Sequence, residues 1–178
     1  MYMQKVLLLS FLAGMLALAL PGFRAGKEGV RWMRLEEVEA QLQTHPRPVL
    51  IDVYTDWCGW CKVMDKKTYA RNDVATYINE KMYPVKFNAE SKEPVTWMGK
   101  TYRYNPARRI HEFALYLITG EMAFPNTVIL PAVTEKPQSI AGFLEPKDME
   151  MVVKYFGEGY YKKRSFDNWA RNFKPTWK

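Results

Sequence analysis

Two cysteines separated by two residues follow closely on a run of six strand-forming residues, and no other feature of the chain constrains its fold as tightly. The run Val49-Leu50-Ile51-Asp52-Val53-Tyr54 is almost entirely apolar and β-forming, the pattern of a central strand covered on both faces. Thr55-Asp56-Trp57 then leads into Cys58-Gly59-Trp60-Cys61, and the residues from there to Lys67 favour a helix. A further helix, with Asn72 as its cap, runs to Lys81, and 83–88 reads as the next strand. A helical segment between two such strands predicts a right-handed βαβ crossover in a largely parallel region.

The spacing itself carries chemistry. Two cysteines three positions apart at the start of a helix lie on one turn, close enough to close a small disulfide ring with little backbone movement. Cys58 falls at the helix amino end, where unpaired N–H groups and the helix dipole favour thiolate over thiol, which predicts it as the nucleophile. Cys61, one turn inward, then resolves the mixed disulfide. Covalent haem needs histidine directly after the second cysteine, and that position holds Lys62. A structural zinc site needs four ligands, and His45 and His111 lack finger spacing, so zinc is the weaker reading and no metal or other cofactor is expected. Both histidines read as surface or helix-end residues.

A length of 178 residues suits one domain with additions, and 48% hydrophobic against 25% charged residues is enough apolar material for a core. The formal charge is +7, but the 26 basic residues are scattered and bring no zinc-finger or RNA-binding signature, so no nucleic-acid partner is expected. At the amino end, Lys5 precedes the fifteen-residue apolar run 6–20, with Ala17-Leu18-Ala19 as a cleavage site. Residues 1–25 therefore read as an export signal, ahead of an uncleaved anchor and then a buried helix, because the run is shorter than the roughly 20 residues a membrane span needs. Export would place the chain where disulfides persist, and with only two cysteines all redox chemistry falls on one site.

Elsewhere, Leu35, Val38 and Leu42 recur at helical spacing over 35–44, and His45-Pro46-Arg47-Pro48 ends that helix. Residues 93–105 read as an inserted hairpin turning near Gly99, and 106–119 as an amphipathic helix stopped by Gly120. Segments 127–130 and 139–143 predict two antiparallel strands, followed by a helix over 146–156. Ser165 caps a last helix whose Phe166, Trp169 and Phe173, with Trp177 behind them, read as a stripe packed on the core rather than a partner-docking face.

The segment from Asp52 to Lys62 resembles the active-site strand and helix of the thioredoxin family, and the likeness extends to Lys86-Phe87-Asn88 and Phe124-Pro125-Asn126-Thr127. It spans roughly residues 30–157 and is most similar to exported bacterial thioredoxin-like thiol:disulfide interchange proteins. The resemblance implies an α/β thioredoxin fold: a central mixed β-sheet flanked by helices, here with an inserted hairpin and a C-terminal helical extension. The organisation expected is a signal over 1–25, a thioredoxin-like domain over 26–157 and an aromatic extension over 158–178. Asp52 would be the buried acid that takes the proton of Cys61, Lys86 the lysine that approaches it, and Pro125 a cis-proline. Phe124 and Pro125 would pair with an extended substrate, while Trp57 and Trp60, flanking Cys58 and Gly59, would form an apolar rim. Thioredoxin itself has glycine-proline where this chain has Gly59-Trp60, which leaves the direction of electron flow open.

The leading reading is a periplasmic or secreted, monomeric disulfide reductase or interchange enzyme. It would act on protein disulfides and thiols and draw electrons from a membrane thiol:disulfide donor. A thiol oxidase or isomerase is the rival within the same chemistry. A non-catalytic binding module docking through its aromatic tail is the rival outside it.

Overall fold

The computed structural model describes residues 29–132 and 135–177, and the export segment read over 1–25 lies outside the described residues. In chain order the larger elements are α1 (Leu35–Thr44), β1 (Val49–Tyr54), α2 (Gly59–Met64), α3 (Asn72–Lys81), β2 (Tyr83–Asn88), β3 (Val95–Trp97), β4 (Lys100–Tyr102), β5 (Tyr104–Asn105), β6 (Ile110–His111), α4 (Glu112–Leu117), β7 (Asn126–Leu130), β8 (Gln138–Ala141), α5 (Pro146–Gly157) and α6 (Phe166–Ala170). Four strands form the central sheet in the order β2-β1-β7-β8. β1 and β2 are parallel, whereas β7 runs antiparallel to both β1 and β8, so the sheet is mixed as expected. A single parallel bridge from Met33 to Val85 continues the sheet beyond β2.

Strand alternation sorts the core into two layers. Val49, Ile51 and Val53 of β1 face a cluster with Leu35, Val38 and Leu42 of α1, Phe113 of α4 and Trp97 and Tyr102 of the β3–β4 hairpin. Leu50 points the other way, among Met64, Ile78, Met149 and Val153 from α2, α3 and α5. Asp52, two residues on from Leu50, therefore enters this second layer, where an ionised group is costly.

The helix after the cysteines does not run uniformly to Lys67. From Asp65–Tyr69 it widens into a π-turn, closed by the Ala70 N–H donating to the Asp65 carbonyl at 2.9 Å. Both Thr68 and Tyr69 are buried there, and the Thr68 hydroxyl donates to the Leu144 carbonyl at 2.7 Å. Arg71 rather than Asn72 occupies the N-cap position of α3.

The helix read over 106–119 is shorter than its periodicity suggests. Tyr104–Asn105 and Ile110–His111 pair as a second small hairpin, with Arg109 at φ 54° in its turn, and α4 begins at Glu112. Its cap is the His111 ring, whose Nδ1 accepts the Phe113 N–H at 3.0 Å while Nε2 lies 3.1 Å from the Glu93 carbonyl. His111 is thus a helix-end residue, but a fully buried one.

The C-terminal segment is held to α5 by aromatic packing and by one carboxylate. Trp169 is buried against Tyr155, Tyr160 and Phe173, with ring centroids 5.4, 5.5 and 4.5 Å away. Glu150, also fully buried, accepts from Lys154 and from the Thr176 N–H and hydroxyl, each at 2.6 Å, and from the Trp177 N–H at 2.8 Å. Ser165 stands at the N-cap of α6 without a side-chain cap bond.

Candidate active site

β1 ends at Tyr54, and the chain turns through Thr55 so that the Cys58 N–H donates to the Thr55 carbonyl at 3.1 Å. This turn places Cys58 at the N-cap of α2 and Cys61 in its first turn. Cys58 and Cys61 are joined as a disulfide with Cα atoms 5.3 Å apart, inside the range that needs no backbone strain. The Cys58 Sγ also accepts the Cys61 N–H at 3.0 Å. That donor would hold a negative charge on the same sulfur once the bond is reduced. Both cysteines are 4% exposed.

Around the sulfurs the chain exposes what it usually buries. Trp57 is 67% and Trp60 62% exposed, the two most exposed large apolar side chains described. Each leans on a phenylalanine from another element: Trp57 on Phe124, 6.1 Å away and edge-on, and Trp60 on Phe143 at 5.7 Å. The Phe124–Pro125 peptide bond is cis, and it brings this segment alongside Trp57 just before β7 begins. At Gly59 a Cβ would meet nothing within 4 Å, so the rim leaves that position open.

The strand that leads into the disulfide carries a charged layer. Asp52 is in register with Lys86 on β2 and with Thr127 on β7, which points the three side chains to one side of the sheet. Lys86 Nζ lies 3.1 Å from Asp52 Oδ2 and also donates to Asp65 Oδ1, and it sits over the rings of Trp32 and Tyr54 at 5.3 and 5.2 Å. Burial raises the Asp52 pKa to about 6, against the pull of the Lys86 charge. For Lys86 burial alone would lower the pKa, but the charges and hydrogen bonds of Asp52 and Asp65 outweigh it and leave it raised. The buried Tyr69 hydroxyl is held far above its ordinary pKa, first by desolvation and then by the Asp52 charge. The site therefore pairs a carboxyl that can gain or lose a proton near neutrality with an ammonium that keeps its own.

The structure brings the residues singled out in the sequence into two groups. One holds Cys58, Gly59, Trp60 and Cys61 with the Trp57–Phe124 rim and Pro125. The other is the Asp52–Lys86 pair. Asp65, Phe143 and Glu90 escaped sequence reasoning. Asp65 stands four residues after Cys61, a helical interval, so its place near the site was readable in principle. Glu90 binds the Trp57 indole from a loop, and no spacing announces such a contact. Among the described residues no group of three or more His, Cys, Asp or Glu side chains could hold a metal ion, and no helix is long and apolar enough to cross a membrane.

Comparison with known proteins agrees with this architecture. A thioredoxin-fold protein from Helicobacter pylori superposes with a TM-score of 0.51 at 16% identity, over 68% of this chain and 76% of that one. A DsbH oxidoreductase gives a TM-score of 0.49 at 17% identity over 74% and 86% of the two chains. The oxidised C-terminal domain of DsbD from Neisseria meningitidis gives 0.41 at 21% over 75% and 98%. No curated protein matches the chain. The family model Thioredox_DsbH, described as "Protein of unknown function, DUF255", matches residues 23–156. With a mixed sheet of this order and a Cys58–Cys61 disulfide on the helix that follows its central strand, the chain belongs to this thioredoxin-like family.

Proposed function

We propose that the protein is a thiol:disulfide oxidoreductase that reduces or exchanges disulfides of other proteins in the cell envelope. The observation that carries this reading is the Cys58–Cys61 disulfide at the start of α2, beside an exposed aromatic rim and on the turn that follows a strand burying the Asp52 carboxyl.

In the reducing direction the Cys58 thiolate attacks one sulfur of a substrate disulfide, forming a mixed disulfide and releasing the other substrate sulfur as a thiolate that takes a proton from water. Asp52, as carboxylate, accepts the Cys61 proton. The Cys61 sulfur then attacks Cys58 Sγ, which restores the intramolecular disulfide and releases the second substrate sulfur. The substrate gains two electrons from the protein sulfurs and two protons, one taken from water and one that passes from Cys61 through Asp52 to the second leaving thiolate. Lys86 keeps the Asp52 charge tolerable in the buried layer after each proton leaves. Trp57, Trp60 and Phe124 receive apolar side chains flanking the substrate cysteine, while Pro125 and Gly59 keep the approach to Cys58 narrow and unobstructed. An envelope location rests on the export reading of residues 1–25, and a membrane thiol donor would return the electrons to the disulfide.

A Cys61→Ser variant tests this directly. It should accumulate mixed disulfides through Cys58 when exposed to envelope extracts, and Cys58→Ser should not. If neither variant captures a partner, and the wild-type dithiol fails to reduce a protein disulfide, the enzymatic reading is wrong. A reduction potential near −270 mV would fit a reductase and one near about −120 mV an oxidant.

A further inference from the structure

From position 159 onward the sequence holds six basic residues against one acid, Asp167, so these twenty residues carry +5 of the chain's formal +7. Lys162, Lys163, Arg164, Arg171 and Lys174 are all exposed. None of them takes part in the ion pairs found among the described residues. The cations lie among aromatic rings: the Arg164 guanidinium is 5.9 Å from the Tyr160 centroid, and the Lys162 ammonium 5.5 Å from that of Tyr161. Arg164 and Lys174 also line one shallow recess of about 300 Å³ with Tyr160, Trp169, Asn172 and Phe173. Two exposed positive groups and an amide thus border a cavity with an aromatic floor. Phe166, 37% exposed, stands beside it against Tyr155 and Trp169.

This combination has a specific physical counterpart. Basic side chains interleaved with half-buried tyrosine, tryptophan and phenylalanine suit the boundary between phospholipid headgroups and acyl chains, where cations meet phosphate and rings meet hydrocarbon. A purely polar anion would use the cations and leave Phe166 without purpose. Placement matters as well. Lys162 shares a second recess with Arg47 and Pro48, which immediately precede β1, whereas the disulfide follows that strand's last residue. Six strand residues span about 17 Å, so the cationic end and the sulfurs lie at opposite ends of β1.

We propose that the C-terminal extension is a docking surface for membranes rich in anionic phospholipid, with Arg164 and Lys174 receiving a headgroup phosphate and Phe166 entering the interface. Docked this way, the protein turns its disulfide towards soluble substrates, and a membrane donor would reach it through a domain standing clear of the bilayer. The surface is independent of which direction the redox reaction runs.

The test is partition of the full chain between buffer and vesicles of pure phosphatidylcholine or of phosphatidylcholine with one-third phosphatidylglycerol, at 50 and 300 mM salt. The full chain also carries the apolar run 6–20, which can bind both vesicle types, so the informative quantity is the anionic excess over phosphatidylcholine. That excess should be large at low salt, shrink at high salt, and fall on the order of tenfold in Arg164→Ala/Lys174→Ala. Phe166→Ser should weaken binding at both salt concentrations alike. Thiol-exchange rates on a soluble disulfide should stay unchanged in these variants, which also verifies their folding. The proposal is overturned if the anionic excess is absent or survives in the double variant. It is equally overturned if millimolar glycerol phosphate abolishes the excess, which marks a soluble phosphate ligand, or if polyglutamate binds more tightly than the vesicles, which marks an acidic polypeptide.

Discussion

The Trp57 indole N–H donates to a carboxylate oxygen of Glu90 at 3.1 Å, across a sequence separation of 33 residues. Glu90 is itself fixed from below: its N–H donates to the Asn88 side chain at 2.8 Å, and the Asn88 amide donates to Asp56 at 3.0 Å. The rim beside Cys58 is therefore set by a loop following β2, not by the cysteine-bearing turn alone. Replacing Glu90 with Ala should free the indole and lower kcat/KM for a protein disulfide several-fold. Reduction of a small aromatic disulfide, which needs less of the rim, should change little. Glu90→Gln keeps an acceptor and should retain most of the protein-substrate rate. Steady-state kinetics on the two substrate sizes would decide this.

Asp52 offers an opposed pair of effects. Because its folded pKa lies near 6 rather than 3.8, the folded protein holds this proton more tightly than the unfolded chain, and stability falls as pH rises from about 4 to about 6. The difference corresponds to about 3 kcal/mol at neutral pH, which is what remains after the Lys86 contact has offset part of the desolvation cost. Asp52→Asn should therefore be more stable than wild type by about 1–3 kcal/mol at pH 7, with the advantage gone by pH 4. It should also release mixed disulfides more slowly and lose the step in that rate near pH 6. Urea unfolding at several pH values, paired with stopped-flow measurement of the resolving step, would show both or neither.

His111 has the opposite sign. Burial lowers its pKa, and with Nδ1 accepting from the Phe113 N–H the ring is committed to its neutral form. The unfolded chain then binds a proton that the folded one refuses, so this contribution to stability is present above about pH 6.5 and is lost as pH falls below it. The slope is limited to about 1.4 kcal/mol per pH unit. Glu93, Glu112, Phe87 and Phe113 surround the ring, and the Glu112 charge opposes the shift only weakly. Subtracting the urea stability of His111→Gln from that of wild type at pH 7.5, 6.5 and 5.5 isolates the residue from Asp52. The difference should shrink steadily towards acid.

Glu150 gives a test of the extension as a folded part of the domain. Truncation to Ala leaves the Lys154 ammonium and the Thr176 and Trp177 N–H groups without their shared acceptor, at a cost of about 2–3 kcal/mol. Trp177 would then leave Tyr77, against which it packs at 5.8 Å, and become more accessible to iodide quenching. An unchanged urea midpoint would show that the tail contributes little.

Much of this structure is legible in the chain. The periodicity of 35–44, the apolar run before the cysteines and the turn at Gly99 correspond to α1, β1 and the β3–β4 hairpin, because each depends on residues close in sequence. What escaped depends on distant pairings. The π-turn that carries Asp65 towards Lys86 is written in no local propensity. The short β5–β6 hairpin reads as helix until the His111 ring is seen capping α4. Glu150 looks like one more solvated acid on an amphipathic helix until a segment 26 residues later folds back onto it. At the site, Cys58 and Cys61 announce themselves through their spacing and Asp52 and Lys86 through the resemblance to the thioredoxin family, whereas Glu90 and Phe143 arrive from loops.

Cys58 is 4% exposed, while the indoles on either side of it are about two-thirds exposed. A partner thus meets aromatic surface well before it meets sulfur, and adhesion is separated from exchange. Rounded, rigid surfaces can rest on the tryptophans without reacting, whereas a thin, pliable strand bearing a disulfide can slip between them. Under the proposed function, such a rim would discriminate by the local flexibility of the target, favouring misfolded or loop-borne disulfides over those locked inside finished domains.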